Sequence, residues 1–227
     1  MKFIKHIEQA GYRVGRNRAF CDFLTLSVCA LSAQEQEGQY LQVAKSYDAK
    51  EINEFSYAFA ELVNEMNNRG IGLKDCLGDY FMEILGNERK GQFFTPEPIC
   101  DLMAEITEPK GDNFYDPCCG SGRLALSAAK INRGMKFYCA DIDLQCCQMT
   151  LINMCLNGLF GTVEHCNSLL DEVWRRWVIS RHPILLVPFI FEVDLLECQE
   201  AEIMPEIAQP EPEQRQLELF FDELSLL

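Results

Sequence analysis

Asp116-Pro117-Cys118-Cys119-Gly120-Ser121-Gly122 is the stretch on which the fold turns. Asn113-Phe114-Tyr115 before it reads as a short strand ending in an acid, Gly120 to Gly122 as a loop, and Arg123 to Ile131 as the helix that the loop opens. Such a strand-loop-helix turn suits a nucleoside cofactor, because glycine lets backbone pass close to a ligand and take positive φ without a Cβ clash. A second strand over residues 136–140 delivers Asp141, 25 positions beyond Asp116. One helix and one strand fill that interval, which leaves Asp141 at a neighbouring strand end, where a carboxylate can take ribose hydroxyls. Alone, a Gly-x-Gly loop after a strand is equally compatible with a tight turn that serves packing only.

The upstream element Gly91-Gln92-Phe93-Phe94-Thr95-Pro96 narrows the reading, since an aromatic pair beside a hydroxyl and a helix-starting proline is an unusual turn composition. Together with Asp75-Cys76-Leu77-Gly78-Asp79-Tyr80 and Ala140-Asp141-Ile142-Asp143, these motifs make residues 75–169 resemble the adenine-N6 DNA methyltransferases. The resemblance is closest to the modification subunit of type I restriction-modification systems. It implies an α/β, Rossmann-like fold, S-adenosylmethionine as cofactor, and N6-methylation of adenine in DNA as the family activity. It further implies that Thr95 and nearby backbone meet the methionine carboxylate, while Asp116, Gly120 and Gly122 surround the methionine portion. Asp141 would hold the ribose, Ile142 would pack on the adenine face, and Asn167 would hydrogen-bond the adenine edge. Phe94, Pro96 and Pro117 complete the implied cofactor set. Residue chemistry agrees, because carboxylates suit hydroxyl and ammonium donors and an amide both donates and accepts. The alternative for Asn167 is a turn-forming or helix-capping role. The family often has Gly where Cys166 stands.

The resemblance also implies an Asn/Asp-Pro-Pro-Tyr/Phe tetrapeptide after the fourth strand, which accepts hydrogen bonds from the adenine amino group while its aromatic stacks on a base taken out of the duplex. This sequence has none. The nearest stretch is Ile184-Leu185-Leu186-Val187-Pro188-Phe189, in which Val187 stands where a polar acceptor is expected, so Pro188 and Phe189 are left as a reduced base pocket. Losing one preorganised polar group costs about 3–4 kcal/mol in comparable sites. Impaired transfer by this chain alone is therefore expected, and the alternative function is a non-catalytic cofactor-binding or scaffold subunit. A partial parallel sheet of about four strands is expected, near 113–115, 136–140, 162–165 and 184–187, against seven in the family. Its open edge calls for cover by the chain's own tail or by a partner.

The formal charge is −15, and residues 191–227 carry 11 acids against Arg215 alone, leaving 24 acids and 19 bases, or −5, for residues 1–190. That sign argues against tight unaided DNA binding, which Lys and Arg supply by neutralising phosphates. The resemblance implies DNA as a partner, reached through a specificity subunit or other partner. No signal-peptide pattern precedes the twelve cysteines, whose adjacent pairs Cys118-Cys119 and Cys146-Cys147 lack Cys-x-x-Cys spacing. Reduced thiols, no metal, no membrane span and a cytoplasmic, soluble protein are the expectations. Residues 1–88 read as a helical region capping the pocket, with a buried helix from Phe20 to Ser32. A second helix, from Ala49 to Asn67, carries an apolar stripe of Ile52, Phe55, Phe59, Leu62, Val63 and Met66. Residues 89–190 read as the cofactor domain and 191–227 as an acidic linker and tail. In that tail Gln216, Leu217, Leu219 and Phe220 resemble the peptide by which bacterial replication proteins dock into the sliding clamp, the alternative being an amphipathic helix folded over the sheet edge.

Overall fold

The structure is a computed structural model that describes residues 1–32, 36–85, 93–183 and 187–195. Met1–Val193 form one compact unit. The acidic linker and the tail with Gln216, Leu217, Leu219 and Phe220 lie outside the described residues, as do Ile184 to Leu186.

Five helices come first: α1 (Lys2–Ala10), α2 (Arg16–Ala30), α3 (Glu37–Ala44), α4 (Ala49–Met66) and α5 (Cys76–Tyr80). Phe3, Ile7 and Ala10 are buried on α1, and Phe55, Ala58, Leu62 and Met66 on α4. These spacings put each set on one helical face, so the two helices pack along their apolar stripes. Val63 leaves the predicted stripe and is exposed. The α4 helix starts at Asp48, whose side chain accepts from the Lys50 and Glu51 amides while Glu51 accepts from the Asp48 amide. That reciprocal pair satisfies backbone donors left without helical partners.

After α6 (Glu97–Thr107) come β1 (Asn113–Asp116), α7 (Arg123–Ile131), β2 (Lys136–Asp141), α8 (Leu144–Leu156), β3 (Gly161–Asn167), β4 (Glu172–Arg181) and β5 (Pro188–Val193), with the strands in the order β1-β2-β3-β4-β5. The first three are parallel, joined by α7 and α8, and this is the Rossmann-like half of the molecule. The sheet departs from expectation beyond Asn167. Among the described residues five strands stand where about four were expected, and the last two run antiparallel to their neighbours. Residues 168–171 turn the chain straight back, and the alternating Val173, Arg175, Trp177 and Ile179 then pair with β3 as a hairpin. Most of the strand expected at 184–187 falls on residues outside those described, and β5 starts at Pro188.

Both crossovers advance in the same direction across the sheet, and α7 touches α8, so the two helices cover one face. Phe137, Cys139, Val163, Trp177, Ile179 and Ile190 are buried on that side, whereas Tyr115 and Tyr138 on the other are exposed. Nearly every residue of α8 is buried, because it lies between the sheet and α2. Among the described residues the edge of β1 pairs with β2 alone. The opposite edge is met by the chain leaving α2, where the Ile190 amide donates to the Leu31 carbonyl at 2.9 Å. No helix among the described residues is long and apolar enough to cross a membrane.

Candidate cofactor cleft

The carboxyl ends of β1 and β2 place Asp116 and Asp141 beside the loop that enters α7. A cleft of about 640 Å³ opens there, lined by Phe93, Phe94, Tyr115, Pro117, Cys118, Gly120, Asp141, Ile142, Cys146, Cys166, Asn167, Ser168 and Leu169. Its volume suits a nucleoside-sized ligand. Gly120 and Gly122 have φ of +56° and +80°. Positive φ favours glycine at both positions, and a Cβ would also lie tightly against a neighbour, 3.1 Å from the Phe94 ring at Gly120 and 3.0 Å from the Thr150 hydroxyl at Gly122.

The loop is held by its neighbours. The Gly120 amide donates to Asp141 Oδ2 at 2.9 Å, and the Thr150 hydroxyl donates to the Gly120 carbonyl at 3.0 Å. Asp141 Oδ1 accepts from the Asp143 amide at 2.9 Å. An ionised carboxylate has about four acceptor sites, so two amides leave Asp141 able to take further hydroxyl donors. Asp116 Oδ1 accepts from the Cys118 amide at 3.1 Å. Burial holds the Asp116 carboxyl above its ordinary range; the Cys118 amide opposes the shift and the charge of Asp141 adds to it. Asp141 lines the cleft and Asp116 the smaller recess beside it, and two neighbouring acids favour a cationic ligand.

Asn167 lines the cleft, but its Oδ1 accepts from the Leu169 and Leu170 amides, which makes it a turn former at the end of β3. The β3–β4 pairing shifts register between His165 and Cys166, re-aiming this corner of the cleft. His165 Nε2 lies 3.1 Å from the Ile142 carbonyl and ties β3 to the chain leaving β2. Thr95 sits beside the cleft in a smaller, connected recess with Asp116, Cys119 and Arg123. Pro96 caps α6.

Pro188 and Phe189 are placed elsewhere. They lie on β5, at the sheet edge opposite β1, paired with Arg181 and Ser180 at the end of β4 far from the cleft. The Phe189 ring meets His182 at 5.3 Å, and Val187 offers its carbonyl to the His182 amide. A base pocket built on these two residues does not adjoin the cofactor cleft, because the β3–β4 hairpin carries the chain to the sheet's other end. In the helical region, α1–α5 supply none of the cleft lining, and α2 and α5 pack on α8. Sequence reasoning missed the exposed rim of Tyr115 and Leu169 and the thiols of Cys146 and Cys166. Alternation along β1 signals only Tyr115, which must face opposite to its half-buried neighbours Phe114 and Asp116. Burial pushes the Cys146 thiol well up, so it contributes apolar surface and no nucleophile. Among the described residues no group of three or more His, Cys, Asp or Glu could hold a metal ion.

Residues 73–182 match the family model described as N-6 DNA Methylase. This segment, just under half of the chain, is similar to the N-6 DNA methylase family. Similar curated proteins include the methylase subunit of the type I restriction enzyme MjaIX of Methanocaldococcus jannaschii, 26% identical over 57% of this chain and 26% of the relative. The HindI methylase subunit of Haemophilus influenzae is 29% identical over 39% of this chain and 23% of its own length. The MpnII methylase subunit of Mycoplasma pneumoniae is 29% identical over 40% of this chain and 19% of its own length. The matched part therefore spans about a quarter or less of these relatives. No solved structure gives a significant match.

S-adenosylmethionine fits the methylase cleft. The glycine turn brings bare backbone to the cleft beside Phe94, and the carboxylates of Asp141 in the cleft and Asp116 in the recess beside it match a ligand bearing hydroxyl, ammonium and sulfonium groups.

Proposed function

We propose that this N-6 DNA methylase segment binds S-adenosylmethionine and serves as the cofactor-holding component in N6-methylation of adenine in DNA, without carrying out the transfer alone. The observation that carries the reading is the pairing of Asp116 and Asp141 around a glycine turn at the carboxyl ends of adjacent parallel strands. Asp141 would hold the ribose hydroxyls through its remaining acceptor sites. Asp116 would face the cationic end, and Ile142, 62% exposed, would offer apolar surface to the adenine. When bound, the cofactor supplies an electrophilic methyl group. The residues of this chain have to orient it and keep water away, and Phe93, Tyr115 and Leu169 form an apolar rim suited to that exclusion.

The second half of the reading rests on chemistry missing beside the cleft. The adenine amino group needs a polar acceptor, and Val187 with Pro188 and Phe189 lies at the far edge of the sheet. DNA and a specificity subunit are the proposed partners, in keeping with relatives named as type I restriction enzyme methylase subunits. Calorimetric titration of the full chain with S-adenosylmethionine should give micromolar binding that Asp141→Ala abolishes. No heat with the wild-type chain would end the cofactor reading. Transfer of a tritiated methyl group to unmethylated DNA should stay at background with this chain alone, and counts above background would overturn the second half of the proposal.

A further inference from the structure

We infer that Asp75 is a positioning residue for the cofactor loop, holding Ser121 and Arg123 from the side away from the cleft. This deepens the cofactor reading and rests on it. Asp75 is 4% exposed and precedes α5, where its Oδ1 accepts from the Gly78 amide at 2.8 Å. A helix cap needs no more than that. Here the same carboxylate also accepts from Asn153 Nδ2 at 2.8 Å, from the Ser121 hydroxyl at 2.5 Å and from Arg123 Nε at 2.9 Å. Four donors converge on a group with about four acceptor sites, so its hydrogen-bonding capacity is filled.

The partners belong to separate parts of the methylase cleft. Ser121 lies between the two glycines of the turn, and Asn153 Nδ2 also donates to the Ser121 carbonyl at 2.8 Å from α8. Arg123 opens α7 and reaches Asp79 Oδ1 at 2.7 Å and the Thr95 carbonyl at 3.4 Å. One buried carboxylate from the helical region thereby links the Thr95 segment, the glycine turn and α8. Gly78 completes the fit, since a Cβ there would lie 2.1 Å from Asp75 Oδ2 and 2.4 Å from the Ser121 hydroxyl. The turn is thus pinned on both sides, by Asp141 through the Gly120 amide and by Asp75 through the Ser121 hydroxyl. Releasing the second pin lets Gly120 and Gly122 move, and displacements of about an ångström are enough to degrade a binding geometry.

The test is amide hydrogen exchange on the ligand-free full chain, with calorimetry against S-adenosylmethionine alongside. In Asp75→Asn, exchange at Gly120, Ser121 and Gly122 should rise about tenfold, the equivalent of one charge-assisted hydrogen bond, while Phe137 and Cys139 of β2 stay unchanged. Cofactor affinity should fall by a similar factor. Asp48→Ala, at the distant α4 cap, should lower the melting midpoint and leave both loop exchange and affinity untouched. If Asp75→Asn does not fold, Ser121→Ala removes one of the same bonds and should shift loop exchange in the same direction. Loop exchange equal to wild type, or a rise shared equally by β2, overturns the inference. A wild-type chain that gives no heat with the cofactor overturns the cofactor reading instead, and the exchange measurement still decides the role of Asp75.

Discussion

At the scale of single residues, the candidate site is an arrangement of acids whose acceptor sites are divided between the protein's own amides and a ligand. Asp141 spends part of its capacity on Gly120 and Asp143, and Asp116 spends part on Cys118. Burial raises the Asp116 carboxyl above its ordinary range, so as pH falls it protonates earlier than a solvated aspartate. A cationic ligand favours the ionised form, and its binding therefore releases protons wherever Asp116 is partly protonated in the free chain. Affinity for S-adenosylmethionine is expected to rise with pH through the raised Asp116 range and then level off. Calorimetry in a pH series checks this, and the slope should vanish in Asp116→Asn. An affinity that increases as pH falls would contradict the assignment.

At the scale of elements, two features differ sharply in what they demand of the chain. Gly161 starts β3 with φ of +153°, and a Cβ there would lie 1.8 Å from the Phe137 carbonyl oxygen. Gly161→Ala must therefore push β3 off β2, and the expected loss exceeds about 4 kcal/mol, the range reserved for breaking a core feature. A urea unfolding series checks it. At the other end of the scale, Asp48→Ala removes the α4 cap. The expected cost is about 1 kcal/mol. For a unit of this size that lowers the melting midpoint by roughly 2–4 °C. The contrast between the two substitutions separates a steric requirement of the sheet from an exchangeable helix end.

At the scale of the whole molecule, charge and architecture limit what the chain does unaided. With a net charge of −15, it lacks the cationic surplus from which non-specific DNA affinity arises. Mobility-shift measurements with duplex DNA at physiological salt should show no retention of DNA by the chain alone, whereas micromolar retention would show a basic surface that the overall balance conceals. Among the described residues α7 and α8 cover one face of the sheet, and β1 keeps an unpaired edge. That edge adjoins the cleft through Tyr115, Asp116 and Pro117.

The sequence by itself determined the strand-turn-helix of the N-6 DNA methylase segment, the positions of Asp116 and Asp141 at neighbouring strand ends, and the need for glycine at 120 and 122. Each follows from short-range rules, in which spacing and backbone freedom leave one sensible arrangement. The chain's own residues also show valine at 187, where the resemblance implies a polar acceptor. Only the tertiary structure decided where Val187, Pro188 and Phe189 lie, because the turn after Asn167 sends β4 back antiparallel, and an alternating strand reads the same in either direction. It also decided that the helical region packs behind α8 and that Asp75 reaches Ser121. Contacts between residues 46 positions apart have no local signature, since they depend on which helix face meets which loop.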